Sequence, residues 1–259
     1  MLQFSANLGF LWTELELPSA IHAAAQAGFN AVECHWPYDT DAGVVRAALE
    51  ETGLPMLGLN TRRGDMAAGE NGLAALPGRE AEAQAAIDEA VEYADSVGAQ
   101  AVHVMAGLTP ADEAAKDTFI RNLSYAAHRA GALTVLIEPL NRFDAPGYFL
   151  SDTVQALDIM DRVKAPNLKL MFDCYHVGRT EGRVTERLTD LLPQIGHIQF
   201  ASVPERGAPD TGTLDYNVVF ENIRALGWTR PLGAEYRPNG PTEASLGWMS
   251  IYSLGQDCA

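Results

Sequence analysis

Short apolar runs alternate along this chain with longer stretches in which apolar residues return at helical spacing. The runs fall at Leu2–Ala6, Asn30–His35 (NAVECH), Pro55–Asn60 (PMLGLN), Ala101–Gly107 (AVHVMAG), Leu133–Asn141 (LTVLIEPLN), NLKLMFD ending on Asp173, GHIQFA and PLGAEY. The stretches between them carry helix signals. Pro18 and Ser19 open one that Gly28 ends, Gly53 closes Asp41–Thr52, and Gly98 closes Gly78–Val97. Gly131 caps Asp112–Arg129, Ser151 is placed as the N-cap of a helix reaching Val163, and Val184–Leu192 and Tyr216–Leu226 are shorter. The tail Pro241–Leu254 is compatible with a last helix.

Strict alternation of this kind predicts a parallel sheet with crossover helices. Eight units in 259 residues favour an α/β fold of one closed (β/α)8 TIM barrel over an open doubly wound sheet. No GxGxxG follows the first run, which weakens a dinucleotide-binding reading, and no linker-like shift in composition divides the chain, so one domain over 1–259 is expected.

Four of the apolar runs carry an oxygen-bearing side chain near their carboxyl end: Glu138, Asp173, Gln199 and Glu235. A buried parallel strand is expected to stay apolar on both faces, so a charge at its end belongs where the strand opens into a loop. Any one of these groups could be satisfied by a loop amide. Four in register, on consecutive strands of a barrel, converge on one point. Three carboxylates packed together repel unless a cation joins them, and an all-oxygen set suits Mg²⁺ or Mn²⁺ better than Zn²⁺. His176 is placed in the loop after Asp173, within reach of a substrate oxygen, and His197 is read as structural.

Composition narrows the setting. With 47% hydrophobic and 20% charged residues there is ample material for a core. The net charge of −16 argues against phosphate-backbone binding and against anionic membranes, so the expected partner is a small molecule, with no nucleic acid and no membrane. Cys34, Cys174 and Cys258 form no CxxC pair, and the N-terminus shows no signal peptide, which together favour the cytoplasm. A homo-oligomer is compatible with all of this. The Gly-rich loop Thr61–Pro77 has the length of a lid, and its Arg62 and Arg63 are either solvated charges or a clamp for a substrate carboxylate.

The segments IEPLN, FDCYH, GHIQFASVPERG and GAEYRP, with VECHWPYD, GDMAAGENGLA and VHVMAG, resemble the hydroxypyruvate isomerase family of the xylose-isomerase-like barrels. That resemblance implies that Glu138, Asp173, Gln199 and Glu235 bind a divalent metal, that Glu138 and Glu235 double as the acid–base pair, and that His176 and Arg206 contact substrate oxygens. Where the family reads GEINY this chain has GTLDY with Thr213, and its lid reads NTRRGDM; both departures fall in loops that shape the pocket. The implied reaction interconverts hydroxypyruvate and tartronate semialdehyde, or a related hydroxy-oxo acid, through an enediolate that the metal stabilises. Arg62, Arg63 and Arg206 are then the cations available to the substrate carboxylate. The alternatives are a ketose 3-epimerase of free sugars, an endonuclease IV-like nucleic-acid enzyme, which would need a His-rich zinc site and a basic surface, and a non-catalytic sugar-binding barrel.

Overall fold

The computed structural model describes residues 2–253; Cys258 and the expected end of the tail helix at Leu254 lie outside them. Among the described residues, strands and helices alternate in the order β1 (Phe4–Asn7), α1 (Leu17–Gln26), β2 (Ala31–Glu33), α2 (Ala42–Thr52), β3 (Leu59–Asn60), α3 (Glu80–Val97), β4 (Ala101–His103), α4 (Glu113–Ala130), β5 (Thr134–Ile137), α5 (Thr153–Val163), β6 (Leu168–Asp173), α6 (Cys174–Thr180), α7 (Val184–Leu191), β7 (Ile195–Phe200), α8 (Tyr216–Ala225), β8 (Leu232–Ala234) and α9 (Trp248–Ser253). All strand pairs are parallel, in the order β2-β1-β8-β7-β6-β5-β4-β3. The ring closes where Val32 of β2 bridges Met56, just before β3. The expected (β/α)8 TIM barrel is the observed fold. No helix among the described residues is long and apolar enough to cross a membrane.

The strands are shorter than the apolar runs that announced them. Only the part of each run that exchanges backbone hydrogen bonds is strand, while residues such as Val104–Ala106 stay buried beyond it. The main apolar layer lies between strands and helices. Within it Phe4, Phe200, Phe220 and Trp248 pack mostly edge-on, with Phe4 and Trp248 centroids 4.9 Å apart, so that α9 seals the layer between β1, β7 and α8.

Two local expectations are corrected. Asp152, not Ser151, caps α5, its side chain accepting the Gln155 N–H at 2.8 Å. His176 lies on a helix rather than in a loop: Asp173 accepts the Tyr175 N–H at 2.8 Å, so α6 starts directly from the end of β6.

The Thr61–Pro77 segment is built in two halves. The first is exposed and holds a single 3-10 turn, Met66–Ala68, capped by Asp65. The second is fastened to the exit of β4: Gly72 bridges Ala106, Ala75 N donates to Ala106 O at 2.7 Å, and Leu73–Ala75 are buried. The two backbones approach so closely at Gly72 and Gly107 that a Cβ on Gly107 would lie 2.4 Å from Gly72 O.

Candidate active site

The carboxyl ends of the strands converge at the barrel mouth. Asp173 is the last residue of β6 and pairs in register with Gln199 on β7, while Glu138 and Glu235 directly follow β5 and β8. Glu138, Asp173, His176 and Glu235 are all buried and offer oxygen or nitrogen atoms within 4.8 Å of one another. Asp173 divides its work: one oxygen caps α6, and the other, Oδ2, has no hydrogen-bond partner. Glu138 Oε1 and Gln199 Oε1 are likewise buried and unpaired. Leaving such acceptors without a donor is costly, and three of them at one mouth, beside Glu235, could hold a cation. Oxygen donors of this kind fit Mg²⁺ or Mn²⁺.

His176 belongs to the cluster by position, and its tautomer gives it a different task. Nδ1 accepts the backbone N–H of Asn141 at 2.9 Å, so the neutral ring carries its proton on Nε2, 3.6 Å from Asp173 Oδ2 and 3.8 Å from Glu138 Oε1. Burial, with the Arg206 charge, brings the His176 pKa down to about 3, which keeps the ring neutral. It therefore offers an N–H to an oxygen at this mouth rather than a lone pair to a metal.

The carboxylates differ in proton affinity. Burial, and then the charges of Glu235 and Asp173, raise Glu138 well above the usual carboxylate range, and burial with Glu235 pushes Asp173 up to about 8. Burial would raise Glu235 too, but Arg206, His35 and His176 together outweigh it and hold that carboxyl below its usual value. Arg206 Nη2 binds Glu235 Oε2 and stands 3.7 Å from Asp173 Oδ2, its guanidinium gripped between the rings of Phe10 (4.5 Å) and Tyr175 (5.0 Å).

The two lid arginines go to different places. Arg62 pairs with Glu89 on α3 at 2.7 Å and lies over Tyr38, so its guanidinium is engaged on the outer helix. Arg63 bonds Asn71 at 2.9 Å and covers Trp36, whose ring packs on His35.

Several polar residues at the mouth lie outside the set picked from the sequence. His35 Nε2 and Asn7 Nδ2 lie 3.2 and 3.1 Å from Glu235 Oε1, and His103 Nδ1 lies 3.9 Å from Glu138 Oε2. Burial brings the His103 pKa down to about 3. Glu33 receives Gln199 Nε2 at 2.8 Å and lies 2.6 Å from His197 Nε2; His197 and Gln199, two residues apart on β7, reach the same carboxylate. Asn7, Glu33 and His103 each end a strand, a signal present in the sequence. Cys174 is buried directly behind Asp173, and burial raises its thiol well above the usual range, which leaves it unreactive.

The sequence matches the xylose isomerase-like TIM barrel family over residues 21–252. It is 46% identical to the 2-oxo-tetronate isomerase of Cupriavidus necator, covering 97% of this chain and 99% of that one, and 40% identical to the hydroxypyruvate isomerase of Escherichia coli strain K12, covering 97% and 100%. A crystal structure described as an AP endonuclease, family 2, from Brucella melitensis superposes with a TM-score of 0.94 at 38% identity over 97% of this chain and 99% of that one. With barrel, family match and full-length identity in agreement, the chain belongs to the hydroxypyruvate isomerase family of the xylose isomerase-like TIM barrels, and it is an isomerase.

Proposed function

We propose that this isomerase interconverts hydroxypyruvate and tartronate semialdehyde, or a closely related hydroxy-oxo acid, using Mg²⁺ or Mn²⁺ held by Glu138, Asp173, Gln199 and Glu235. The observation that carries this reading is the set of unpaired buried oxygens on Glu138, Asp173 and Gln199 beside the oxygens of Glu235. The relatives named above act, by their names, on 2-oxo acids with a hydroxyl on the neighbouring carbon, which supports the same substrate class here.

A bound divalent cation would polarise the substrate's carbonyl and hydroxyl oxygens and steady the negative charge that develops on them. The chain's own groups supply the rest. Glu235, kept ionised by Arg206 with His35 and His176, removes the proton from C3, and an enediolate forms on the substrate. Glu138, whose proton affinity is raised, returns a proton at C2. The hydroxyl proton passes from O3 to O2, so atoms balance without any oxidant. His176 donates its Nε2–H to a substrate oxygen, and Arg206 is a buried cation at this mouth available to the substrate carboxylate.

The net charge of −16 and a cluster with one histidine support a small-molecule substrate rather than DNA. Cys34 and Cys174 are both buried free thiols, in keeping with a reducing cytoplasm. Incubation of the purified enzyme with hydroxypyruvate or a neutral ketose, with Mg²⁺ or Mn²⁺, tests the proposal. Turnover of the acid is expected; epimerisation of the ketose at C3 without turnover of the acid would make the protein a ketose 3-epimerase instead. In deuterium oxide, E138Q and E235Q should each stop solvent hydrogen from entering the product.

A further inference from the structure

Glu33 stands behind the cluster, and three polar side chains close on its buried carboxylate. Oε1 accepts from Gln199 Nε2 at 2.8 Å and from Asn7 Nδ2 at 3.0 Å, and Oε2 lies 2.6 Å from His197 Nε2. Asn7 is itself fixed, because its Oδ1 accepts the Gly9 N–H at 2.9 Å and its Nδ2 also reaches Glu235. The Gln199 amide thus has its nitrogen tied to Glu33 while its oxygen, buried and unpaired, is left for the mouth.

The amide is buried beside a cavity of only about 20 Å³ lined by Asn7, Glu33, His35, His103 and His197, but shape alone does not tell its oxygen from its nitrogen. What orients it is the chemistry of its partner: an ionised carboxylate only accepts, so it selects the nitrogen. Space for the pair comes from β8, where a Cβ on Gly233 would lie 2.6 Å from Glu33 Oε1 and 2.8 Å from Gln199 Cγ.

We propose that Glu33 is the positioning residue that turns the Gln199 amide so that its oxygen, and not its N–H groups, faces the cation. The inference rests on the reading of Gln199 as a metal ligand. It also gives a reason for an amide at this position, since a carboxylate there would meet Glu33 with no proton between them.

The test measures Mn²⁺ affinity of the metal-stripped protein without substrate, following free Mn²⁺ by electron paramagnetic resonance. Partners of this kind typically govern metal affinity by about 10–100-fold, so E33A should weaken Mn²⁺ binding by roughly tenfold or more. In E33Q the two donors that meet at Oε1, Asn7 Nδ2 and Gln199 Nε2, select the oxygen of the new amide, so it still accepts from Gln199 and binding should stay within about threefold of the parent. G233A should weaken binding when Glu33 is present and add little to E33A, where the vacated Glu33 space lets the methyl and Gln199 Cγ move apart and the amide has already lost its partner. Melting in EDTA identifies any variant that fails to fold, and if E33A does, the E33Q and G233A pair carries the same test.

Parent-like affinity in E33A overturns the proposal, as does an E33Q loss equal to that of E33A, which would make the charge and not the amide orientation the cause. Q199L separates the two levels. Unchanged affinity in Q199L sinks Gln199 as a ligand, and the inference with it, whereas weakened affinity in Q199L beside unchanged affinity in E33A sinks the inference alone.

Discussion

The backbone N–H of Asn141 donates to Nδ1 of His176 at 2.9 Å, which fixes the proton of the buried ring on Nε2. His176→Ala should therefore lower kcat by roughly 10²-fold, the usual scale for losing a donor to developing charge, while Mn²⁺ affinity stays near that of the parent. Metal titration beside steady-state kinetics checks this. A collapse of metal affinity would place His176 among the ligands.

Metal binding should be pH-dependent in a defined sense. Burial, with the Glu235 charge, pushes Asp173 up to about 8, so a cation has to displace a proton below that value. Mn²⁺ affinity should rise with pH up to about 8 and then level off. The folded-state value lies above the unfolded one, so Asp173 favours the folded protein at low pH and that contribution is lost as pH rises through about 8. The melting temperature gained on adding Mn²⁺ should accordingly grow from roughly pH 6 to 8. An affinity that ignores pH would mean these carboxyls are ionised before the ion arrives.

The three arginines should separate in a kinetic survey. Arg206→Lys loses the planar fork that faces both Glu235 and Asp173, and kcat/KM should fall by roughly 10²-fold. Arg62→Ala removes an exposed pair with Glu89 and should leave kinetics within about twofold and stability within about 1 kcal/mol. Arg63→Ala uncovers Trp36 beside His35 and should raise KM while sparing kcat. A KM change with Arg62→Ala instead would transfer the clamp to that residue.

Gly107→Ala drives a methyl to 2.4 Å from Gly72 O at a φ of +102°, so it should cost on the order of 1–3 kcal/mol in urea denaturation. Gly78→Ala, also at positive φ but with nothing within 4 Å, is the control and should cost less, about 1 kcal/mol. Equal losses would show that the loop is not fastened through this contact.

Much of the mouth was legible because a carboxylate or amide closing an apolar run stands out against it. That rule picked out Glu138, Asp173, Gln199 and Glu235. Applied to the other strands, it would also have reached Asn7, Glu33 and His103, each the last residue of its strand. His35 lies two residues past β2, where only the folded loop turns it toward Glu235. The partner of Arg62 was hidden for a similar reason: Glu89 is 27 residues away, and α3 brings it near only once the barrel has closed. Helix α6 escaped notice because Asp173 is at once a strand end and a helix cap, and pattern reading assigns a residue one of those jobs.

The grip of Phe10 and Tyr175 on Arg206, which itself holds Glu235, braces the loops after β1, β6, β7 and β8 against one another. Residues 62–69 touch that brace nowhere; Arg62 over Tyr38 and Arg63 over Trp36 tie them to the β2 loop instead, and a groove of about 260 Å³ opens beside His35 and Trp36 between the β1 and β2 loops. In the proposed reaction the flank beside His35 would then be the way in and out for substrate, and the braced wall would hold Glu235 in line from one turnover to the next.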